Sequence, residues 1–354
     1  MLDHPISITP RISAKFSNAS LLAAILVVIL HAGNGWPCGS ISWYLKSLLD
    51  VFCKCGVPFF FIASGFFLAG HIHEKDFLRR AVGKRVRTIV IPFVLWSLLW
   101  FIPYALQLFL YAKYKQTAFC IADVFSPREL FRLFGLNLYT YPTYAALWYL
   151  RALMILVVLS PWVYRLLKVT KGWILLPIFC SYWLLSPDST VNGTWKMPFR
   201  CTFSLEGLFF FSIGILARHF DFQSFRKKRS LLFLFFLGVV LRVADIYYAK
   251  GHEGLFLNVM PLEIVLCVPY LFSIVPEHRI FPSLDGLSFA IYLVHSFFYV
   301  FLSVPYVLRL VCGRESTQYD VWLRMIPTLI CTVLLTKFLR VQMPKVSAFL
   351  FGGR

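Results

Sequence analysis

The sequence predicts an all-α, polytopic integral membrane protein with about ten transmembrane helices and both termini in the cytoplasm. Three observations predict it. First, hydrophobic residues make up 59% of the 354-residue chain and charged residues only 14%, against about one quarter charged in a soluble globule. Mean hydropathy is +0.73, so too little polar surface remains to coat a water-facing particle. Second, the apolar residues fall into runs of about 20, the length that crosses the hydrocarbon core. Third, Lys and Arg alternate between loops in the manner of a cytoplasmic orientation signal.

The spans read in order are 18–36, 48–70, 88–111, 145–166, 172–188, 202–218, 230–249, 255–275, 284–311 and 321–341. The first is Ser20 followed by ten apolar residues, then His31 and the helix-breaking run Gly-Asn-Gly-Trp-Pro. The polar start at 1–20 and the lack of a small-residue cleavage site after the first run argue against a cleaved signal peptide. With the N-terminus inside, the cytoplasmic segments hold 17 Lys and Arg and the outer loops nine. The organisation is then a cytoplasmic tail over 1–17, a membrane domain over 18–341 and a second cytoplasmic tail over 342–354. No internal repeat of the kind many transporters carry is visible.

The net charge of +19 is accounted for by loop Lys and Arg, so it does not call for nucleic acid. Most cysteines sit in apolar runs and act as small hydrophobes. Cys53-x-Cys55 has the wrong spacing for a metal knuckle and no second pair, so no metal is expected. Cys38, Cys120, Cys201 and Cys312 fall toward the outer face, where a disulfide is chemically allowed.

Ionisable groups inside spans are costly and point to function. Counting at about 1.5 Å per residue gives each a depth. His31 falls in the outer part of the first span, Asp50 and Lys54 in the outer third of the second. Arg151 falls about one and a half turns below the outer interface, and Glu206 at a similar depth. Arg242 and Asp245 end the seventh span, Glu263 is in the outer half of the eighth and His295 near the middle of the ninth. This gathering implies a polar cavity open to the outside, with His31 at or near it. Interfacial snorkelling explains Asp50, Arg242 and Asp245 equally well. Interhelical hydrogen bonding does the same for His31 and His295. On the cytoplasmic side, residues 75–87 hold six Lys and Arg. They set topology and attract anionic lipid, or dock a polyphosphate.

Several stretches together carry a resemblance: "AAILVVILHAG", "GVPFFFIASGFFLAG", "KRVRTIVIPFVLWSLLW", "ALWYLRALMILVVLSPWVYRLLK", "SLEGLFFFSIGILA" and "LDGLSFAIYLVHSFF". In order and spacing they resemble the acyltransferase-3 family of integral-membrane acyltransferases over roughly residues 18 to 340. The most specific pieces are the first-span histidine and Phe-Phe-x-x-Ser-Gly at Phe60, Phe61, Ser64 and Gly65. The resemblance implies an O-acyltransferase of a bacterial cytoplasmic membrane. Its donor would be cytoplasmic acyl-coenzyme A, chiefly acetyl-coenzyme A, used as substrate and not as a resident cofactor. Its acceptor would be a hydroxyl of a surface glycan or lipid-linked sugar. The lipid bilayer is its surroundings, and oligomeric state is not legible.

The resemblance makes His31 the catalytic residue. As general base it would take the acceptor proton; as nucleophile it would carry the acyl group. Arg151 would steady an oxyanion or position the acceptor, and Glu206 would orient a cation or bind sugar hydroxyls. The family has a basic residue eleven positions before the histidine, where this chain has Ser20, leaving Lys15 as the nearest candidate. Its Arg-x-x-Arg maps onto Lys84 and Arg87, with Arg85 beside them, as the coenzyme site. Ser64, Gly65 and His295 are candidates for a substrate passage, the first two being also natural packing positions. A transporter or flippase of a glycan or lipid intermediate is the competing class; the absence of repeats and the family pattern count against it.

Overall fold

The computed structural model describes residues 5–32, 41–99, 101–120, 122, 126–127, 147–185, 204–219, 228–249, 259–298 and 319–353. Among them there is helix and no strand. Five helical stretches are long and apolar enough to cross a membrane: Pro10–His31, Ser47–Ala69, Trp148–Val169, Arg229–Tyr247 and Trp322–Gln342. Shorter apolar helices lie at Leu175–Leu184, Leu205–Ala217, Met260–Ile274 and Ser288–Phe298, within the fifth, sixth, eighth and ninth predicted spans. Exposed Leu22, Val158, Trp162, Phe233, Phe236, Val240, Leu323, Ile330 and Leu334 are the surface expected of helices that face lipid.

Helix α1 (Pro10–Ala32) starts at Pro10, earlier than the predicted residue 18. Thr9 accounts for this: its Oγ1 accepts the Ile12 amide at 3.3 Å, an N-cap followed by proline at the first helical position. The second predicted span is two helices, α2 (Ile41–Lys54) and α3 (Gly56–Ala69). Pro58 has no N–H for the carbonyl of Lys54, and its ring crowds that carbonyl. The chain answers with a tighter bond from the Cys55 amide to Phe52 O at 3.1 Å. The third predicted span begins with α4 (Phe77–Arg85), a π turn at Val86–Val90 and α5 (Ile91–Leu99), then α6 (Phe101–Lys115). Pro92 removes the donor for Thr88 O, and a π turn just before a proline is one way to absorb that loss.

Helix α7 (Trp148–Val169) contains Pro161, which orphans Val157 O. The Ser160 hydroxyl donates to that carbonyl at 2.7 Å, the repair a proline requires where water is absent. Then come α8 (Leu175–Leu184), α9 (Leu205–Ala217), α10 (Lys228–Ala249), α11 (Met260–Ile274), α12 (Ser288–Phe298), α13 (Tyr319–Gln342) and α14 (Pro344–Phe351).

The core is built around α3, α7, α9 and α12, with Phe61, Phe66, Phe210, Phe211, Leu150 and Tyr292 buried. Helices α3 and α9 touch backbone to backbone. A Cβ on Gly65 would stand 2.2 Å from Phe211 O, and one on Gly214 2.1 Å from Ile62 O. Gly56 does the same for α1, 2.8 Å from Ala23 O. These small residues let the helices approach closely enough to hold the site rigidly.

The segments expected on the cytoplasmic side converge at one end. The Ile6 amide bonds Arg218 O at 2.9 Å, and Asn18 donates to Pro276 O at 3.1 Å and His278 O at 2.6 Å. Within the 342–353 stretch, Phe351 is buried and stacks on Trp96 at 6.1 Å, while Trp96 Nε1 donates to Leu350 O at 3.1 Å. Cys120 is a free, exposed thiol; Cys38, Cys201 and Cys312 lie outside the described residues.

Candidate active site

A cavity of about 730 Å³ opens at this same end. Its rim carries Arg80, Lys84 and half-buried Arg85 from α4, with His71 and Glu74 from the preceding loop. His71 Nδ1 lies 2.6 Å from Glu74 Oε1, and Arg80 pairs with the other carboxyl oxygen at 3.2 Å. The hydrogen bond with His71 holds the Glu74 carboxyl below its ordinary value. Burial pulls the Arg85 guanidinium below the usual arginine value, while the Tyr149 phenol pushes it up. A partly desolvated cation of this kind favours an anionic partner.

Inward from the rim the wall is Ser20 of α1, Phe60, Ala63 and Ser64 of α3, Thr88 of the π turn, Tyr149 of α7, and Ser288, Phe289 and Tyr292 of α12. Gly352 and Gly353, just past α14, complete it. Gly352 has φ +70°, and a Cβ there would meet Thr88 Cα at 2.6 Å. At the buried end, Tyr149 Oη lies 3.4 Å from both Ser64 Oγ and Phe60 O.

One turn beyond Tyr292 along α12 is His295, fully buried. Its Nδ1 is 2.6 Å from Tyr292 O. A carbonyl only accepts, so Nδ1 carries the proton. That leaves the Nε2 lone pair to accept the Ser296 hydroxyl at 3.0 Å. The His295 ring lies 5.3 Å from that of His31. His31 and Ser20 are on the same helix, eleven residues or about 16 Å apart. The cavity thus runs from a basic rim, past Ser20, to a tyrosine whose own carbonyl orients the partner of His31.

The other sequence candidates distribute as follows. Lys84, Arg85 and Ser64 line the cavity. Arg87 is exposed at its edge, with its carbonyl 3.0 Å from the Cβ position of Gly352. Lys15 turns away, donating to Ser273 O at 3.2 Å and pairing with Glu277 at 3.6 Å. Gly65 serves the α3–α9 crossing. Glu206 is in the first turn of α9, where Ser204 Oγ caps the helix by accepting the Gly207 amide at 2.9 Å.

Arg151 is deeper than its span count implies. Tyr149 meets Phe60 and Phe61, midway along Ser47–Ala69, and Tyr164 meets His73 at 2.8 Å. Helix α7 is therefore displaced toward the basic end, and the buried Arg151 guanidinium lies over Phe93 of α5 at 5.6 Å.

Four of the charges expected to line an outer cavity, Lys54, Arg242, Asp245 and Glu263, gather instead between α2, α10 and α11. Arg242 Nε donates to Ser47 O at 2.7 Å and NH1 pairs with Asp245 at 2.8 Å. Fully buried Glu263 is within electrostatic reach of Arg242, Asp245 and Lys54. Arg242 is thus an interhelical tie rather than a snorkelling side chain. No group of three or more His, Cys, Asp or Glu suited to a metal occurs among the described residues.

Sequence reasoning missed Tyr149, Tyr292 and the Gly352 contact, and had Arg80 only as one of the six basic residues of 75–87. Tyr292 had a usable signal, since it lies three residues before His295 and so shares its helix face. Tyr149 had none, because its partners are far away in the chain.

The described chain is a set of apolar helices with a basic cavity leading toward a paired histidine. Residues 21–339 match the model of the acyltransferase-3 acyltransferase domain, and the chain belongs to that family. It is a membrane acyltransferase. Comparison with curated proteins gave no match. Comparison with solved structures likewise gave none.

Proposed function

We propose that this acyltransferase moves an acyl group, chiefly acetyl, from cytoplasmic acyl-coenzyme A to a hydroxyl of an extracytoplasmic glycan or lipid-linked sugar, with His31 as general base. The observation that carries the reading is the cavity itself. Its rim offers Lys84 and Arg85 to the phosphates of the coenzyme, and its size falls in the range of about 300–1,000 Å³ of small-molecule sites. Its buried end touches Tyr292, which orients His295 beside His31. Ten spans with both termini inside, in a bacterial cytoplasmic membrane, complete the reading: the basic rim then faces the coenzyme pool and His31 the outer side.

In the reaction the acceptor oxygen attacks the thioester carbonyl. The hydroxyl proton passes to the neutral His31 imidazole, the C–O bond forms, the C–S bond breaks, and the thiolate regains that proton as free thiol. Arg151 and Glu206 are the candidate groups for the oxyanion and the acceptor. Lys15, held by Ser273 and Glu277, has a structural task, and the absence of a basic residue at Ser20 places the phosphate load on Lys84 and Arg85.

The test is transfer of radiolabel from acetyl-coenzyme A to an envelope glycan extract by membranes with and without this protein. Label in the glycan that depends on the protein supports the reading. Movement of unmodified glycan across the membrane without labelling would overturn it in favour of a transporter or flippase.

A further inference from the structure

We propose that Phe60, Tyr149 and Tyr292 form a filter that restricts the donor to short acyl chains, an inference that rests on the acyl-transfer reading above. All three residues line the cavity, and two of them, Tyr149 and Tyr292, are buried. They meet pairwise, with centroids 5.9 Å apart for Phe60–Tyr149, 6.1 Å for Phe60–Tyr292 and 5.6 Å for Tyr149–Tyr292. Those separations are ring contact, within the range of about 4.5–7 Å seen for packed aromatic pairs. No alkyl chain passes between rings in contact. An acyl chain that enters from the rim therefore meets the triad, and length beyond the space in front of it must push the rings aside.

The triad is braced against being pushed. Tyr149 is edge-on to Phe61 at 4.7 Å, and Phe61 packs tilted against Trp148 at 5.9 Å. Behind Phe61 stands Gly207, whose absent side chain leaves room for that ring and no more: a Cβ would lie 2.8 Å from Phe61 Cζ. The Tyr149 hydroxyl is tethered to Phe60 O and Ser64 Oγ. The α3 backbone that carries Phe60 is locked to α9 at Gly65 and Gly214. Tyr149 and Tyr292 are 5% and 2% exposed, so both side chains are packed against protein over nearly all of their surface. Close-packed interiors resist even one added methylene. A two-carbon group ends at the triad; a six-carbon chain must displace it.

The experiment is competition for radiolabelled acetyl-coenzyme A on the full chain in nanodiscs, with coenzyme A, acetyl-coenzyme A and hexanoyl-coenzyme A as competitors. Coenzyme A and acetyl-coenzyme A should compete within about threefold of each other. Hexanoyl-coenzyme A should be weaker by about tenfold or more, since each ill-fitting methylene costs about tenfold upward. Phe60→Ala and, separately, Tyr292→Leu should bring hexanoyl-coenzyme A to within about threefold of acetyl-coenzyme A. Phe233→Ala, on the lipid-facing surface of α10, should keep the native pattern.

Native protein that binds acetyl- and hexanoyl-coenzyme A equally would overturn the filter and leave the donor site standing. So would discrimination that survives both opened variants. Absence of acetyl-coenzyme A binding to the native chain would overturn the donor reading itself, and the filter with it. Having two variants at different helices keeps the test decisive if one of them fails to fold.

Discussion

His295 and His31 stand with their ring centroids 5.3 Å apart, and His295 is held on both of its ring nitrogens. His295 is fixed as the Nδ1–H tautomer by Tyr292 O and capped at Nε2 by Ser296. A ring pinned from two sides in this way packs against the His31 ring and holds it in place. His295 therefore acts as a positioning residue. His295→Asn keeps a donor for Tyr292 O and should lower turnover by about tenfold with donor KM unchanged. His295→Leu should lose considerably more. Equal losses in both variants, or a rise in donor KM alone, would mean that His295 shapes the cavity and not the base. Steady-state kinetics on the two variants decides it.

The rim residues should act on the donor alone. Lys84→Gln and Arg85→Gln each remove a charge that a phosphate would use, a contact of about 1.5–3 kcal/mol, or roughly tenfold to a hundredfold in donor KM. The acceptor KM should not move. Arg87→Gln, at the edge of the cavity, should have a smaller effect, and Lys15→Gln should change thermal stability rather than donor KM. An unchanged donor KM in the Lys84–Arg85 double variant would sink the phosphate role.

Glycine substitutions should separate by position. Gly214→Ala forces a Cβ to 2.1 Å from Ile62 O, and overpacking of this kind costs about 1–3 kcal/mol or more. It should lower the midpoint of thermal unfolding in detergent. Gly83→Ala in α4 meets nothing within 4 Å and gains up to about 1 kcal/mol of helix propensity, so it should be neutral or stabilising. A neutral Gly214→Ala would contradict the backbone-to-backbone crossing.

The chain after α14 should matter to the donor site. Gly352→Val places a side chain into the Thr88 backbone at a positive φ, both unfavourable for a β-branched residue. Because Thr88 is in the cavity wall, donor KM should rise several-fold while acceptor KM holds. A variant with native donor KM would show that this contact only anchors the C-terminal segment.

Much of the helix layout was legible because apolar length is a local property. The runs ending at His31 and at Ala69, and the run opening at Trp148, each became a helical stretch of membrane-crossing length, the second one broken at Cys55. Pro58 and Pro92 carried the breaks in the second and third runs, and a window of mean hydropathy averages over them. The site was legible by halves. Lys84 and Arg85 are neighbours in sequence, so their clustering could be read directly. Tyr149 and Tyr292 meet across 143 positions of chain, and nothing local to either foretells the other. Depth by counting failed for Arg151 because it assumes that every helix starts at the same level. The pairings Tyr149–Phe61 and Tyr164–His73 show that α7 does not. Charges such as Arg242 and Asp245 were visible, but their mutual pairing depends on how α2, α10 and α11 pack.

The most direct test of the account is release of coenzyme A thiol from acetyl-coenzyme A by membranes carrying the native chain or His31→Ala, with an envelope glycan extract present. The account predicts release that depends on the extract and falls by about a hundredfold or more in His31→Ala, the scale of a lost general base. Extract-dependent release that is the same in both proteins would contradict it.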